Sequence, residues 1–166
     1  MASFCYDWTM KFYRFSPLQN NEDCTKALEY IQEKLRELSK LIIEEELPIN
    51  TLKIFAHYED EYAFLKKWVN SIGTNEDEGS LTSYYVKSHE PMVINDDPID
   101  YVGIRVPDPY RSQVGCGDYV VSNFEEFKAK YLGKSPYIRE KSHQKYQMLE
   151  LFHPDMDVLG YIVKDY

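Results

Sequence analysis

The stretch TLKIFAHYEDEYAFLKKWVNSIG (residues 51–73) decides the fold, because its order of elements returns later in the chain. It predicts a strand over 51–57 and a helix over 59–72, and three further strands follow up to Val106. A second stretch, GDYVVSNFEEFKAKYLG (residues 117–133), begins the same order again, with three strands up to Tyr166. The chain therefore predicts two βαβββ units that form a curved mixed sheet around a cleft.

The strand boundaries follow from alternating apolar residues and from turn residues between them. In the first unit we expect strands at 80–87, 92–94 and 99–106, with Gly73 ending the helix. In the second unit we expect strands at 117–121, 137–142, 146–152 and 159–164, with Gly133 ending the helix. The fold class is accordingly α+β.

A helix over residues 24–47 precedes the first unit. Asp23 is a suitable N-cap and Pro48 a suitable stop. Its apolar residues recur every three or four positions and so share one face, namely Leu28, Ile31, Leu35, Leu38 and Ile42. We expect residues 1–48 to be an arm and a helix packed on a domain of residues 49–166. The alternative is that the arm and the helix pair with a partner or with a second copy, as in a homodimer.

Composition excludes some classes of function. The chain of 166 residues has a net charge of −9, which disfavours nucleic acids and anionic membranes as partners. Its three cysteines are widely spaced and form no metal-binding pattern, which favours a reduced, cytoplasmic setting. No apolar run is long enough to span a membrane, and no signal peptide is evident at the N-terminus.

The segment that joins the two units, residues 104–115, is the first candidate site. It contains Arg105, Tyr110, Arg111 and Gln113 among prolines and glycines, and it should run along the mouth of the cleft. Two arginines can hold a carboxylate or a phosphate through paired hydrogen bonds. The alternative is a rigid connector whose arginines pair with nearby acidic residues.

Other residues could carry chemistry. His57 ends a strand and is the favoured histidine; the remaining three, His89, His143 and His153, share no ligand spacing with it or with one another. Glu150 lies in an apolar strand, so it faces either solvent or the cleft, where burial would suit a general base. Cys116 is expected to be a buried thiol rather than a nucleophile.

Three runs resemble the YecM-like proteins, which are distant relatives of the vicinal oxygen chelate superfamily. They are YVKSHEP (85–91), IDYVGIRVPDP (99–109) and GDYVV (117–121). The resemblance covers roughly residues 50–166 and the preceding helix. It implies the same paired βαβββ scaffold that the element order predicts.

The resemblance also implies where a metal would be held in metal-using members. Those positions fall near Thr51 or Leu52, Arg105, Asp118 and Gly160, and only Asp118 is a good ligand. We therefore expect no metal and no cofactor. Arg105 beside Asp118 would hold an anionic ligand or form an internal ion pair.

The sequence leaves three functions open. The first is a metal-free module that binds a small, anionic molecule through Arg105 and Arg111, with Tyr110, Gln113 and Asp118 nearby. The second is a metal-dependent lyase, isomerase or dioxygenase that uses His57, Asp118 and Glu150. The third is a protein-interaction module that uses residues 1–47.

Overall fold

The computed structural model describes residues 14–76, 80–142 and 145–165. Among these residues there are three helices and eight strands. The helices are α1 (Asn21–Ile43), α2 (Glu59–Ile72) and α3 (Phe124–Tyr131). The strands are β1 (Ile49–Phe55), β2 (Gly73–Asn75), β3 (Ser83–Ile94), β4 (Asp97–Arg105), β5 (Gly115–Tyr119), β6 (Ile138–Ser142), β7 (Tyr146–Leu151) and β8 (Val158–Asp165).

All eight strands belong to one sheet, in the order β2-β3-β4-β1-β5-β8-β7-β6. In its middle β1 and β5 pair antiparallel, with Thr51 opposite Asp118. To either side, β1 pairs with β4 and β5 pairs with β8 in parallel, and the outer strands pair antiparallel. Read outward from the central pair, the two halves of the sheet have the same order of strands. The α+β class and the N-terminal helix are confirmed.

The boundaries of α1 differ from the predicted ones at both ends. The Asn20 side chain caps the helix by accepting from the Asp23 N–H, so the cap lies three residues before the predicted one. The helix ends at Ile43 rather than at 47, because Glu44 adopts a left-handed conformation (φ 62°) and donates its N–H to Lys40. The turn geometry therefore stops the helix well before Pro48.

The predicted strands of the first half were wrong in two respects. The break expected between Lys87 and Met92 is an irregularity of register inside the single long strand β3. The additional strand is β2, which begins at Gly73, directly after α2. A Cβ atom at Gly73 would lie 2.4 Å from the carbonyl oxygen of Lys87, so only glycine allows β2 to pair so closely with β3.

The three helices pack on one face of the sheet and form the main core with it. The apolar face of α1 lies over the middle strands, where Ile31 covers Gly115 and Leu35 covers Gly117. The helices α2 and α3 contribute further core residues, including Leu65, Trp68, Val69, Phe124 and Phe127. No described helix is long and apolar enough to cross a membrane.

Tyr119 fastens α1 to the sheet. Its ring fills the space above Gly160, where a Cβ atom would lie 2.2 Å from the ring. Its buried hydroxyl donates a hydrogen bond to the carbonyl oxygen of Leu35. The position that the resemblance marked for a metal ligand, Gly160, therefore lies under a tyrosine on the helix-bearing face.

Candidate functional site

The face of the sheet turned away from the helices, here called the opposite face, carries most of the predicted site residues. Side chains alternate between faces along a strand. Leu52 and Ile54 of β1 belong to the main core, so Thr51, Lys53 and Phe55 lie on the opposite face. Paired residues of neighbouring strands form a row across it: Lys87, Tyr101, Thr51, Asp118, Tyr161, Glu150 and Arg139.

A small apolar cluster lies on the opposite face. Its buried members are Phe55, Cys116, Leu159 and Tyr161, with Met148 and Phe152 packed against them. Within the described parts of the chain, no helix residue contributes to this cluster. Arginine side chains of this face pack over the aromatic rings of the cluster.

Two arginines from the joining segment lie over the same buried ring. The guanidinium carbon of Arg105 is 5.4 Å from the centre of the Phe55 ring, and that of Arg111 is 5.0 Å away. Arg111 has a loose ion pair with Asp108, at 3.7 Å. Arg105 forms no ion pair with any described residue. The two predicted anion-binding residues thus lie at one ring, and Asp108 offsets part of the charge of Arg111.

The other two predicted residues of this segment lie farther from the cluster. Tyr110 is 94% exposed, and its N–H is bound by the Asp108 side chain in a local turn. Gln113 is half-buried between Arg111 and the start of β5. Among the described residues of the segment, Arg105 and Arg111 are the ones that reach the Phe55 ring, and they define the site.

Lys53 adds a third cation, which the sequence analysis missed. Its ammonium group lies 5.4 Å from the centre of the Tyr85 ring. Burial raises the pKa of the Cys116 thiol to about 12, although the charges of Lys53, Arg105 and Arg111 oppose the shift. The thiol is therefore protonated and inert at neutral pH, as expected. The charges of these three cations all act on it.

Asp118 lies two residues along β5 from Cys116. Burial raises the pKa of its carboxyl group, and Lys53 and the hydroxyl of Thr51 oppose the rise. It forms no ion pair with Arg105 in the described structure, so that alternative for the pair was wrong. Asp118 is half-buried and marks the end of the site away from the arginines.

Glu150 lies on the opposite face but is committed to structural partners. It is fully buried and contacts Arg139 and Lys141 of β6, with the Lys141 nitrogen 2.6 Å from one oxygen. Burial alone would raise the pKa of Glu150, but hydrogen bonds from Lys141, Tyr161 and Arg139 outweigh it, so the pKa is lowered. An ionised carboxylate that two cations hold is a weak proton acceptor. These contacts argue against the predicted role as a general base.

His57 contacts the segment of residues 106–114, here called the arginine segment, and belongs to a buried hydrogen-bond network. Its Nδ1 is 2.7 Å from the Ser16 hydroxyl, and its Nε2 is 2.9 Å from the carbonyl oxygen of Arg111. Glu61, also buried, accepts hydrogen bonds from the His57 and Leu18 N–H groups and contacts the Ser16 hydroxyl. Burial lowers the pKa of His57, so the imidazole is neutral at physiological pH.

Ser16, His57 and Glu61 are the residue types of a hydrolytic triad, but their geometry is different. In a triad the carboxylate accepts from the imidazole nitrogen that faces away from the serine. Here the Arg111 carbonyl occupies that nitrogen, and the carboxylate contacts the serine instead. Ser16 is also only 5% exposed. The network holds backbone segments together and offers no accessible nucleophile.

The remaining histidines are peripheral. His89 lies within β3, where its Nε2 is 3.0 Å from the Thr74 hydroxyl at an exposed position. His153 packs beside Tyr137 and accepts from the Asp155 N–H. His143 lies outside the described residues. Within the described ranges, no three His, Cys, Asp or Glu side chains come close enough together to hold a metal ion, and this includes the predicted group His57, Asp118 and Glu150.

Comparison with known proteins identifies a structure with a similar fold, but it does not assign the chain to a family. No protein-family model matches the sequence, and no curated protein matches it significantly. Among solved structures, the chain is similar to a structural-genomics protein named Protein EC4020, with 16% identity and a TM-score of 0.63 over 90% of this chain and 89% of that one. It also aligns with a point variant of Streptomyces coelicolor methylmalonyl-CoA epimerase in complex with 2-nitronate-propionyl-CoA, with 14% identity and a TM-score of 0.42 over 72% of this chain and 98% of that one. The first of these shows a shared fold, and the second is too weak to support an inference.

Proposed function

We propose that the protein binds a small organic anion on the opposite face of its sheet, with Arg105 and Arg111 as the groups that hold the negative charge. The observation that carries this proposal is the pair of guanidinium groups over the single buried ring of Phe55. Two like charges near one ring raise the positive potential there, which attracts an anion. A bound carboxylate or phosphate would remove that repulsion.

The charge of the whole protein makes this cluster unusual. The chain has a net charge of −9, yet the charges of Lys53, Arg105 and Arg111 all act on the buried Cys116 thiol, against the one acidic charge of Asp118. A surface that is negative elsewhere repels anions, so a local excess of cations concentrates them at this place. Guanidinium groups are also the side chains best suited to hold planar oxyanions through two parallel hydrogen bonds.

The surroundings of the arginines favour a ligand with an aromatic or otherwise flat body. Tyr85 and Tyr101 are half-buried on the same face, with ring centres 6.0 Å apart in an edge-to-face arrangement. Aromatic surfaces of this kind contact flat apolar groups well. A carboxylate or phosphate attached to a ring would place its charge at the arginines and its ring towards the tyrosines.

The scaffold that we propose for this site is the paired βαβββ arrangement of the vicinal oxygen chelate superfamily, in its YecM-like form, over residues 49–166. What supports it is the order of strands, which is the same in both halves when read outward from β1 and β5. In this proposal the site uses no metal, because the arginine at 105 occupies a position where metal-using relatives would carry a ligand.

We expect Arg105→Ala to weaken the binding of benzoate or phenyl phosphate at least tenfold, because each charge-assisted hydrogen bond contributes roughly 1.5–3 kcal/mol. The measurement is the rise in melting temperature with ligand concentration, followed by calorimetric titration of the compounds that bind. Benzamide, which has the shape of benzoate without its charge, should give no shift. Inorganic phosphate carries the negative charge without the ring, so its affinity measures recognition of the charge alone.

Arg139→Ala is the matched control, since Arg139 is a cation of the same face that Glu150 already holds. It should leave the affinity for benzoate unchanged. Equal binding by the parent protein and Arg105→Ala would contradict the proposal, as would equal binding of benzoate and benzamide. Elemental analysis of the purified protein tests the metal-dependent alternative, because a stoichiometric transition metal would favour it.

A further inference from the structure

The geometry points to His57 as a positioning residue for the anion site: its Nε2–H holds the Arg111 carbonyl and thereby places the Arg111 guanidinium over Phe55. This inference rests on the proposed function for its effect on binding. The placement of the arginine segment by His57 can be tested without any ligand. His57 touches the segment that carries the site rather than the ligand itself.

The arginine segment, residues 106–114, is fixed to the sheet mainly at its two ends. At its start, the N–H groups of Val106 and Asp108 donate to the carbonyls of Thr82 and Ala56. At its end, the Val114 N–H donates to the carbonyl of Asp157. Between these anchors, Tyr110 and Arg111 donate only to Asp108 within the segment itself.

Only His57 ties the middle of this segment to the rest of the described structure through a hydrogen bond that reaches outside the segment. Its Nε2 is 2.9 Å from the carbonyl oxygen of Arg111. The carbonyl that His57 binds belongs to Arg111, and the Arg111 side chain lies over the Phe55 ring. A shift of this carbonyl would therefore move the Arg111 guanidinium directly.

Proton counting shows that the contact with Arg111 does not depend on the charge of His57. A carbonyl oxygen only accepts, so Nε2 must carry a hydrogen. In the neutral ring Nδ1 then accepts from the Ser16 hydroxyl, whose single hydrogen leaves none for the contact with Glu61 at 3.1 Å. One added proton, on Glu61 or on Nδ1, supplies a hydrogen both for the contact between Ser16 and His57 and for the contact between Ser16 and Glu61. In each of these protonation states Nε2–H still donates to the Arg111 carbonyl.

His57 is also held firmly enough to position its partner. It is 1% exposed, and its own N–H is fixed by Glu61 at 2.7 Å. Glu61 in turn holds the Leu18 N–H at 2.6 Å, so the segment of residues 16–18 is tied to the start of α2 at this carboxylate. Because this donor is fixed in a buried network, it sets the position of the Arg111 carbonyl that it binds.

The test compares two substitutions that differ in one donor. The amide nitrogen of His57→Gln can replace Nε2–H towards the Arg111 carbonyl, whereas His57→Met has a similar length and no donor. Both lose the contact with Ser16, so both should lower the melting temperature by a similar amount. Hydrogen exchange of the peptides that cover residues 109–114 and calorimetric titration with benzoate are measured for each folded variant.

We expect the segment to exchange faster in His57→Met, with roughly tenfold weaker binding of benzoate, as for the loss of one charge-assisted hydrogen bond. His57→Gln should keep exchange and affinity within about threefold of the parent protein. Unchanged exchange in the folded His57→Met variant would overturn the inference, and so would equal effects of both variants on the segment. If the segment loosens as expected while the parent protein binds no anion, the proposed function fails and the positioning role stands.

Discussion

Gly115→Val is expected to lower the free energy of unfolding by about 3 kcal/mol or more, a large part of the stability of a domain of this size. A Cβ atom at this position would lie 2.4 Å from Cδ1 of Ile31 and 2.5 Å from the carbonyl oxygen of Lys53. The Ile31 side chain can turn away, but the Lys53 carbonyl belongs to β1 and cannot move without breaking the central strand pair. Urea unfolding monitored by circular dichroism gives the value.

Gly133→Ala is the matched glycine control. Gly133 has a positive φ of 85° and no atom within 4 Å of where a Cβ atom would lie. Its substitution strains only the local backbone, at a cost of about 1–2 kcal/mol. If Gly115→Val cost no more than Gly133→Ala, the close approach of α1 to β5 would not be what fixes glycine at 115. The double variant Ile31→Ala with Gly115→Val should recover only part of the loss.

Glu150→Gln is expected to lower the free energy of unfolding at pH 7 by about 2 kcal/mol, because the buried carboxylate loses charge-assisted hydrogen bonds. Glu150 is fully buried, while its partners Arg139 and Lys141 are 52% and 42% exposed and can turn towards water. The amide has the same shape as the carboxylate, so the difference reports the charge. Thermal or urea unfolding over a pH series measures it.

The pH dependence of this difference follows from the lowered pKa of Glu150. A carboxyl group whose pKa is lower in the folded than in the unfolded chain contributes its full stability at a pH above the pKa of the unfolded chain, which is about 4.3 for a glutamate. That contribution is lost as the pH falls through the folded value. The gap between the parent protein and Glu150→Gln should therefore be full at neutral pH and close below about pH 4.

Glu140→Gln provides the comparison for Glu150→Gln, because Glu140 lies on the same strand pair and binds Lys128 at the surface. Its loss should cost less than about 1 kcal/mol. A cost at Glu150 as small as at Glu140, or a gap that stays constant down to pH 3, would show that the Arg139–Glu150–Lys141 contacts do not stabilise the fold.

The periodic parts of the fold could be predicted from sequence, and the parts that depend on distant partners could not. The apolar face of α1 follows from spacings within the helix itself, so its buried residues were predictable. The reason for glycine at 115 and 117 lies in Ile31 and Leu35, which are about eighty residues away in the chain. The short strand β2 was missed because three residues show no alternation, and its pairing depends on β3.

The candidate site shows the same division. Arg105 and Arg111 could be found because two arginines in a connector between repeated units suggest an exposed site. Lys53 was missed because a lysine in a strand is ordinarily a solvated residue, and only the register of β1 places it near Cys116. The partners of Glu150 lie on β6, eleven and nine positions earlier, so its choice between a structural and a catalytic role needed the pairing of β6 with β7.

The position of α1 has a consequence for how the chain unfolds. Among the described strands, β1 and β5 form the one pairing between the two halves of the sheet, and α1 lies across that junction with contacts to strands of both halves. Neither half can separate from the other without also uncovering the buried side of this helix. The molecule should therefore lose its structure in a single cooperative transition. The helix α1, which precedes the repeated elements in sequence, couples the unfolding of one half to that of the other.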